Sequence, residues 1–230
     1  MLMTPPESIL VVVGGGPVRV PAAVAATAPD LVIAADSGLD AAREAGLRPD
    51  MLVGDLDSIS DAGLAWARDE GVLIETHPAD KDHTDTDLAL QRAVGLGGRH
   101  ITLLASDGSG STGHRLDHLL GTIAALGSPT LAACESVTAY VGRTALHVVH
   151  PGRSVALRLR PDAVFSLVAA HGPCDGVTLG GARWPLDHAS LAASSTRGIS
   201  NEVVGDTVPA TVDVAVTHGI VTVIVPEVVS

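Results

Sequence analysis

The chain is poor in lysine, aromatic rings and cysteine. Lys81 is its only lysine, and 14 Lys+Arg stand against 26 Asp+Glu, a formal charge of −12 over 230 residues. A protein that neutralises a phosphate backbone carries a basic face, so this balance excludes nucleic acid as an expected partner. The two cysteines, Cys134 and Cys174, have neither metal-ligand spacing nor a disulfide framework, and their Ala and Val neighbours suit reduced, structural thiols. No apolar run reaches the ~18 residues of a membrane span, and the N-terminus lacks the basic flank of a signal peptide. The expectation is a soluble, cytoplasmic protein with no membrane contact. A hydrophobic fraction of 46% with 17% charged residues excludes disorder, and the length suits one large domain or two small ones.

What is present alternates. Short apolar runs at Ile9–Val13, Leu31–Ala34, Met51–Val53, Val72–Glu75, Ile101–Leu104 and Leu131–Ala133 read as strands. Amphipathic stretches at Ala22–Ala28, Leu39–Ala45, Asp61–Asp69, Thr84–Val94 and Leu116–Leu126 read as the helices between them. Such repetition predicts a parallel, Rossmann-like α/β sheet whose strands are buried on both faces. Beyond about residue 136 the long helices stop. Val137–Val141, Leu146–Val149, Ser154–Leu159, Val164–Val168, Val212–Val216 and Val221–Val225 predict an all-β sandwich. The expected domains are 1–140 and 141–230.

The acid is unevenly placed. Asp outnumbers Glu by 19 to 7, and 13 of the 19 Asp lie between Asp36 and Asp117, where an even spread would put about seven. Asp is a poor helix former that favours caps, turns and hard-cation sites. Asp36 follows the second strand and Asp55 and Asp57 the third. Asp80, Asp82, Asp85 and Asp87 follow the fourth, and Asp107 the fifth, with Asp117 just beyond. Ligands of open α/β sheets bind at the carboxyl ends of the strands, so four loops would deliver carboxylates to one edge. An extended Gly54-Asp55-Leu56-Asp57-Ser58 would direct both Asp side chains to one side, and the Asp82/Asp85 spacing suits one face of a first helical turn. Against these stand simple turn and cap roles, above all for Asp36 in Asp-Ser-Gly and for Asp82 as a helix cap. Mg²⁺ takes one or two carboxylates plus substrate phosphates, and Lys81 and Arg115 are the basic residues placed to meet phosphate oxygens. Gly14–Gly16 after the first strand offers backbone N–H groups but no complete phosphate-loop motif. His83, His114 and His118 lie near the acids without zinc spacing. Trp184 is one of only four aromatic residues, readable as core or as a platform for a flat ring, with Ser200 and Asn201 as ring partners or turn formers.

In order and spacing, these segments resemble the thiamine pyrophosphokinase (thiamine diphosphokinase) family over nearly the whole chain. The resemblance rests on Ala35-Asp36-Ser37-Gly38, on Pro49-Asp50 through Gly54-Asp55-Leu56-Asp57-Ser58, and on Lys81-Asp82-His83-Thr84-Asp85 with Ala89-Leu90. It continues in Arg115-Leu116-Asp117-His118, Trp184-Pro185-Leu186 and Gly198-Ile199-Ser200-Asn201-Glu202. It implies transfer of the pyrophosphoryl group of ATP to the hydroxyl of thiamine, giving AMP and thiamine diphosphate, with Mg²⁺ as cofactor. It also implies a homodimer with sites at the subunit interface. Carried over by position, Asp55, Asp57 and Asp85 are the metal ligands, supported by Asp82, with Lys81 and Arg115 on phosphate. Asp36, Ser37, Asp117 and His118 fall in the ATP region, and Trp184, Ser200 and Asn201 at the thiamine end. The chain departs from the family pattern at Ser37, at His114 after a Ser/Gly-rich loop, and at Thr122.

Three alternatives share some of these features. A pterin diphosphokinase would use the same β-phosphorus chemistry with another ring pocket. A phosphatase of the haloacid dehalogenase type would place its Asp-x-Asp after the first strand rather than the third. A non-catalytic thiamine or nucleotide sensor would not need the acidic set intact.

Overall fold

The computed structural model describes residues 5–80, 82–108, 115–193 and 195–227. Lys81 and His114 lie outside them. The N-terminal half runs β1 (Ser8–Val13), α1 (Ala22–Thr27), β2 (Leu31–Ala35), α2 (Gly38–Glu44), β3 (Met51–Gly54), α3 (Asp61–Asp69), β4 (Leu73–Thr76), α4 (Asp85–Gly95), β5 (His100–Ala105) and α5 (Leu116–Ala125). Then come β6 (Ser136–Val141), β7 (Thr144–Val149), β8 (Ser154–Leu159), β9 (Val164–Val168), β10 (Cys174–Gly180), β11 (Leu186–Leu191), β12 (Asn201–Glu202), β13 (Ala210–Ala215) and β14 (Val221–Val225).

Ten strands form one mixed sheet in the order β12-β9-β14-β7-β6-β5-β1-β2-β3-β4. From β6 to β4 the neighbours are parallel, as the apolar runs predict. From β6 outward through β7, β14, β9 and β12 they are antiparallel. A second, four-stranded antiparallel sheet has the order β11-β10-β13-β8. The main sheet therefore continues without a break across residues 140–141, where β6 turns into β7 through Gly142.

Strand alternation sorts the core into layers. On one face Ile9, Val11, Ile33 and Val53 pack with Ala89, Leu90 and Ala93 of α4. On the other, Leu10, Val12 and Val32 meet Val24 of α1 and Ala41 and Ala42 of α2, while Ala34 and Leu52 meet Leu39 of α2 and Ala67 of α3. In the C-terminal half, Ala145, Phe165, Leu167 and Val223 of the main sheet share a core with Leu157, Val177, Leu179, Val212 and Val214 of the small sheet. Tyr140 packs against both the helix-covered and the sheet-covered clusters, so the two halves meet along β6.

One expected strand is absent. Leu131–Ala133 belongs to a 3₁₀ turn over Pro129–Ala133, and the sixth parallel strand is Ser136–Val141. Pro129 starts the turn and Leu131 drops into the core, so a three-residue apolar run is satisfied without pairing. Three strands escaped the pattern, among them the two-residue β12. β10 carries two glycines that read as turns, and β11 is an edge strand with most of its side chains outward.

The cysteines are buried; Cys174 Sγ donates to the Ile220 carbonyl at 3.0 Å, and burial pushes both thiols up. His147 on β7 is pushed down to about 4 by burial, against 6.5 for a free imidazole. Between those values the unfolded chain binds the extra proton, so this contribution is full above pH 6.5 and is lost as pH falls toward 4. His150 is shifted the same way. Thermal denaturation followed between pH 7.5 and 4 should show the midpoint falling below pH 6.5, with a shallower fall in His147→Gln. Equal slopes would contradict the burial argument.

Candidate active site

Beyond β1 the chain passes to β2 on one side, while β5 pairs on the other. That reversal of strand order opens a crevice at the carboxyl ends, the usual ligand position in such sheets. A cleft of ≈ 510 Å³ lies there. Its walls include Gly14 and Gly15 after β1, Asp36 and Ser37 after β2, Ser58 after β3, Thr84 to Thr86 at the start of α4, and Ser106 to Gly108 after β5. Arg115 and six residues of α5 close the far side. Gly14 has no room for a Cβ because Ser37 stands against it, which lets the β1 and β2 loops meet at the cleft floor.

Carboxylates converge at one end. Ligand oxygens of Asp36, Asp55 and Asp57 lie within 4.8 Å of one another. Asp36 is 6% exposed, with a backbone φ of 47°. Its Oδ2 accepts the Ser58 hydroxyl, and its Oδ1 is buried with no hydrogen-bond partner. Asp57 is held above the ordinary carboxylate range, chiefly by the neighbouring Asp55 charge and then by burial, with Asp36 and Asp85 contributing. Asp85 reaches the same place from α4: a Cβ on Gly54 would lie 3.0 Å from the Asp36 Cβ and 3.2 Å from Asp85 Oδ1. An oxygen-only set with a buried, unpaired carboxylate oxygen and mutual repulsion fits a hard divalent cation.

The predicted residues are thus mostly gathered, with adjustments. Asp36 stands with Asp55 and Asp57 rather than apart from them. Asp82 is exposed, precedes α4 and is not part of the cleft wall. The expected sharing of a helical turn with Asp85 is not found, because Thr84 is the N-cap and accepts from the Asp87 N–H at 3.2 Å. Arg115 is at the cleft but forks onto Asp117, at 3.0 Å from Nε and 2.8 Å from Nη2, and also contacts His118. That pairing holds the Asp117 carboxyl well below its usual range. His83 bonds Asp87, away from the cleft wall. Lys81 falls outside the described residues.

Trp184, Ser200 and Asn201 are not in this cleft. Trp184 is 53% exposed, with the Arg183 guanidinium 4.9 Å above its ring centroid. Asn201 is buried, and its amide bonds the Trp184 backbone in both directions, at 3.1 Å and 2.9 Å. Asn201 is therefore a brace for Trp184, and the Ser200 N–H donates to Ser166 Oγ. Not anticipated were Ser58 as the Asp36 partner and Leu119 and Thr122 as cleft wall. The signal for the latter was the spacing 115, 118, 119, 122, one face of a helix.

Fold and site together define an α/β protein with an acidic crevice at a topological switch point, and the comparisons with known proteins give it the class of a transferase of the kinase kind. A family model described as thiamin pyrophosphokinase, catalytic domain, matches residues 24–137. A second, thiamin pyrophosphokinase, vitamin B1 binding domain, matches residues 153–221. The chain belongs to the thiamin pyrophosphokinase family. A thiamine pyrophosphokinase of Bacillus subtilis (strain 168) is 28% identical over 176 residues, 76% of this chain and 78% of that protein. The crystal structure of a thiamin pyrophosphokinase family protein from Enterococcus faecalis matches with a TM-score of 0.73 at 25% identity, covering 95% of this chain and 98% of that one. Yeast thiamin pyrophosphokinase, at 13% identity, shares the fold with a TM-score of 0.69, over 97% of this chain and 87% of its own. The activity is that of an ATP:thiamine diphosphotransferase, and neither the pterin, the phosphatase nor the sensor alternative is favoured.

Gly54→Ala should drive Asp36 and Asp85 apart. Turnover should fall at least tenfold while the melting temperature drops by only a few degrees, because the clash is at the cleft rather than in the core. Wild-type turnover would show that the carboxylates tolerate the displacement.

Proposed function

We propose that the acidic end of the crevice holds Mg²⁺ through Asp55, Asp57 and Asp85, joined by Asp36, and that ATP lies along the cleft. The observation that carries this reading is the Asp36, Asp55, Asp57 cluster with its unpaired buried oxygen beside a cleft large enough for a nucleotide. When bound, Mg²⁺ would supply charge neutralisation and orientation of phosphate oxygens. Asp36, Asp55, Asp57 and Asp85 would otherwise repel those phosphates, which is why an acidic protein can accept ATP only with a cation between them.

Arg115 and Lys81 are the phosphate contacts in this reading. Arg115 would exchange its fork onto Asp117 for phosphate oxygens, an exchange of one charge-assisted pair for another. Ser37, Asp117 and His118 line or border the nucleotide, and Asp82 acts from outside the first ring of ligands. Thiamine's hydroxyl oxygen attacks the β-phosphorus, the bond from that phosphorus to the oxygen bridging it to the α-phosphorus breaks so that AMP departs with that oxygen, and the hydroxyl proton passes to a nearby carboxylate or to water as the new P–O bond forms. The side chains contribute positioning and a pre-set field, which carry most of the catalysis in transfers of this type.

The thiamine end is formed by Trp184 with Ser200, Asn201 bracing the tryptophan backbone. The chain acts as a homodimer, each subunit's Trp184 region facing its partner's crevice. Exposed Trp184 and Ile199 in the β-rich half, and exposed Leu116 and Leu120 on the cleft-wall helix α5, support that pairing. The residue ranges 1–140 and 141–230 act as a Rossmann-like catalytic domain and a β-sandwich thiamine-binding domain. The enzyme works in the cytoplasm, on small molecules and not on nucleic acid; no helix among the described residues is long and apolar enough to cross a membrane.

Incubation with ATP, Mg²⁺ and thiamine should yield AMP and thiamine diphosphate, read by chromatography of the nucleotides. ADP or free phosphate would overturn the reading. Asp57→Asn should lower turnover by at least a hundredfold and reduce the rise in melting temperature that Mg²⁺ gives the wild type. An active variant with an intact Mg²⁺ response would remove Asp57 from the metal site.

A further inference from the structure

Helix α5 forms one wall of the cleft, yet it is lightly held. Of its ten residues only Thr122 is buried, and Leu119, Ile123 and Ala125 pack half-buried against the core. It has no side-chain cap at its N-terminus and no basic residue in its last turn. The final carbonyls of a helix need partners. Here Leu126 N–H returns to Thr122, Gly127 N–H to Ala124 and Ser128 N–H to Ala125. The two carbonyls passed over, Ile123 and Leu126, are met by imidazoles from the β-rich half. His171, beyond β9, contacts the Ile123 carbonyl from Nε2 at 2.8 Å, and His150, beyond β7, contacts the Leu126 carbonyl from Nε2 at 3.2 Å.

A carbonyl only accepts, so each Nε2 must carry the proton. The Nδ1 atoms of both rings are buried without a hydrogen-bond partner, and burial pushes the His150 imidazole down. Gly127 completes the fit: a Cβ there would run into the His171 ring. A longer or bulkier helix end would dislodge the imidazole.

We propose that His150 and His171 are positioning residues for the transfer reaction: they pin the C-terminal turn of α5 to the β-rich half and so set the place of the cleft wall that carries Arg115, Asp117, His118 and Thr122. Neither histidine lines the cleft, so both act through the helix. The device ties the distance across the nucleotide cleft to the packing of the other half of the chain. The kinetic part of this inference rests on the assignment of that cleft to ATP.

The test compares His171→Leu, which removes the donor, with His171→Gln, whose amide can donate from nearly the same place, and with Gly127→Ala, which keeps the imidazole but displaces it. Loss of one such hydrogen bond should raise KM for ATP roughly threefold to tenfold in His171→Leu and Gly127→Ala, with kcat changed less. His171→Gln should return KM to within about twofold of the wild type. Hydrogen exchange of the backbone amides at 119–126 should quicken in His171→Leu and Gly127→Ala and not in His171→Gln. Unchanged KM and exchange in all three would overturn the proposal, as would a loss of stability with wild-type KM or a Gln variant no better than Leu. The exchange measurement needs no nucleotide. Should incubation with ATP, Mg²⁺ and thiamine give ADP or free phosphate in place of AMP, the reading of the cleft falls, while faster exchange confined to α5 would still support the clamp itself.

Discussion

Four carboxylates held together against their own repulsion are the constraint around which this structure is arranged. At about 4 Å, two unit charges repel by ~1 kcal/mol in water and by ~4 kcal/mol near a protein surface, so free side chains would swing apart. Here the backbone prevents it. The parallel register pairs Ala35 with Val53, which brings the ends of β2 and β3 level and sets Asp36 beside Asp55. Ser58 takes one oxygen of Asp36, and the bare face of Gly54 leaves space in which Asp36 and Asp85 approach. The raised Asp57 is the electrostatic record of that crowding. A site so arranged is a poor home for an anion and a good one for a cation that brings an anion with it.

The rest of the fold supplies rigidity to that edge and a second surface beside it. Alternating burial on both faces of β1, β2 and β3 locks the strands between helical layers, so the loops at their ends start from fixed points. The antiparallel half is not an appendage on a linker. It extends the same sheet through β6, and its smaller sheet covers the extension with a continuous apolar core. Forces on one half are therefore felt in the other, and the histidines beyond β7 and β9 at the end of α5 are one contact through which this happens.

Much of this was legible in the chain. Continuous apolar runs such as Ile9–Val13 and Met51–Val53 admitted only buried strands, and the acids after them marked the loaded edge. Where the reading failed, the cause was local ambiguity. Leu131–Ala133 is apolar enough for a strand, yet Pro129 and a single buried leucine satisfy it as a turn. β10 and β11 were hidden by glycines and by an outward-facing edge. The Asp82/Asp85 spacing is compatible with one helical turn, but the Thr84 hydroxyl caps the helix first and leaves Asp82 outside it. Asn201, which matches a family motif, bonds the Trp184 backbone through its amide, a contact no spacing in the chain announced.

By itself the sequence determined that the N-terminal strands run parallel between helices, that the later half is β-rich, and which edge carries the acids, because periodicity and residue type report burial directly. Only the tertiary structure decided that Asp36 joins Asp55 and Asp57, that Ser58 holds it, and that two distant histidines finish a helix at the cleft. These depend on strand order and register, which bring together residues far apart in the chain. Spacing along one segment carries no information about which other segment will lie beside it.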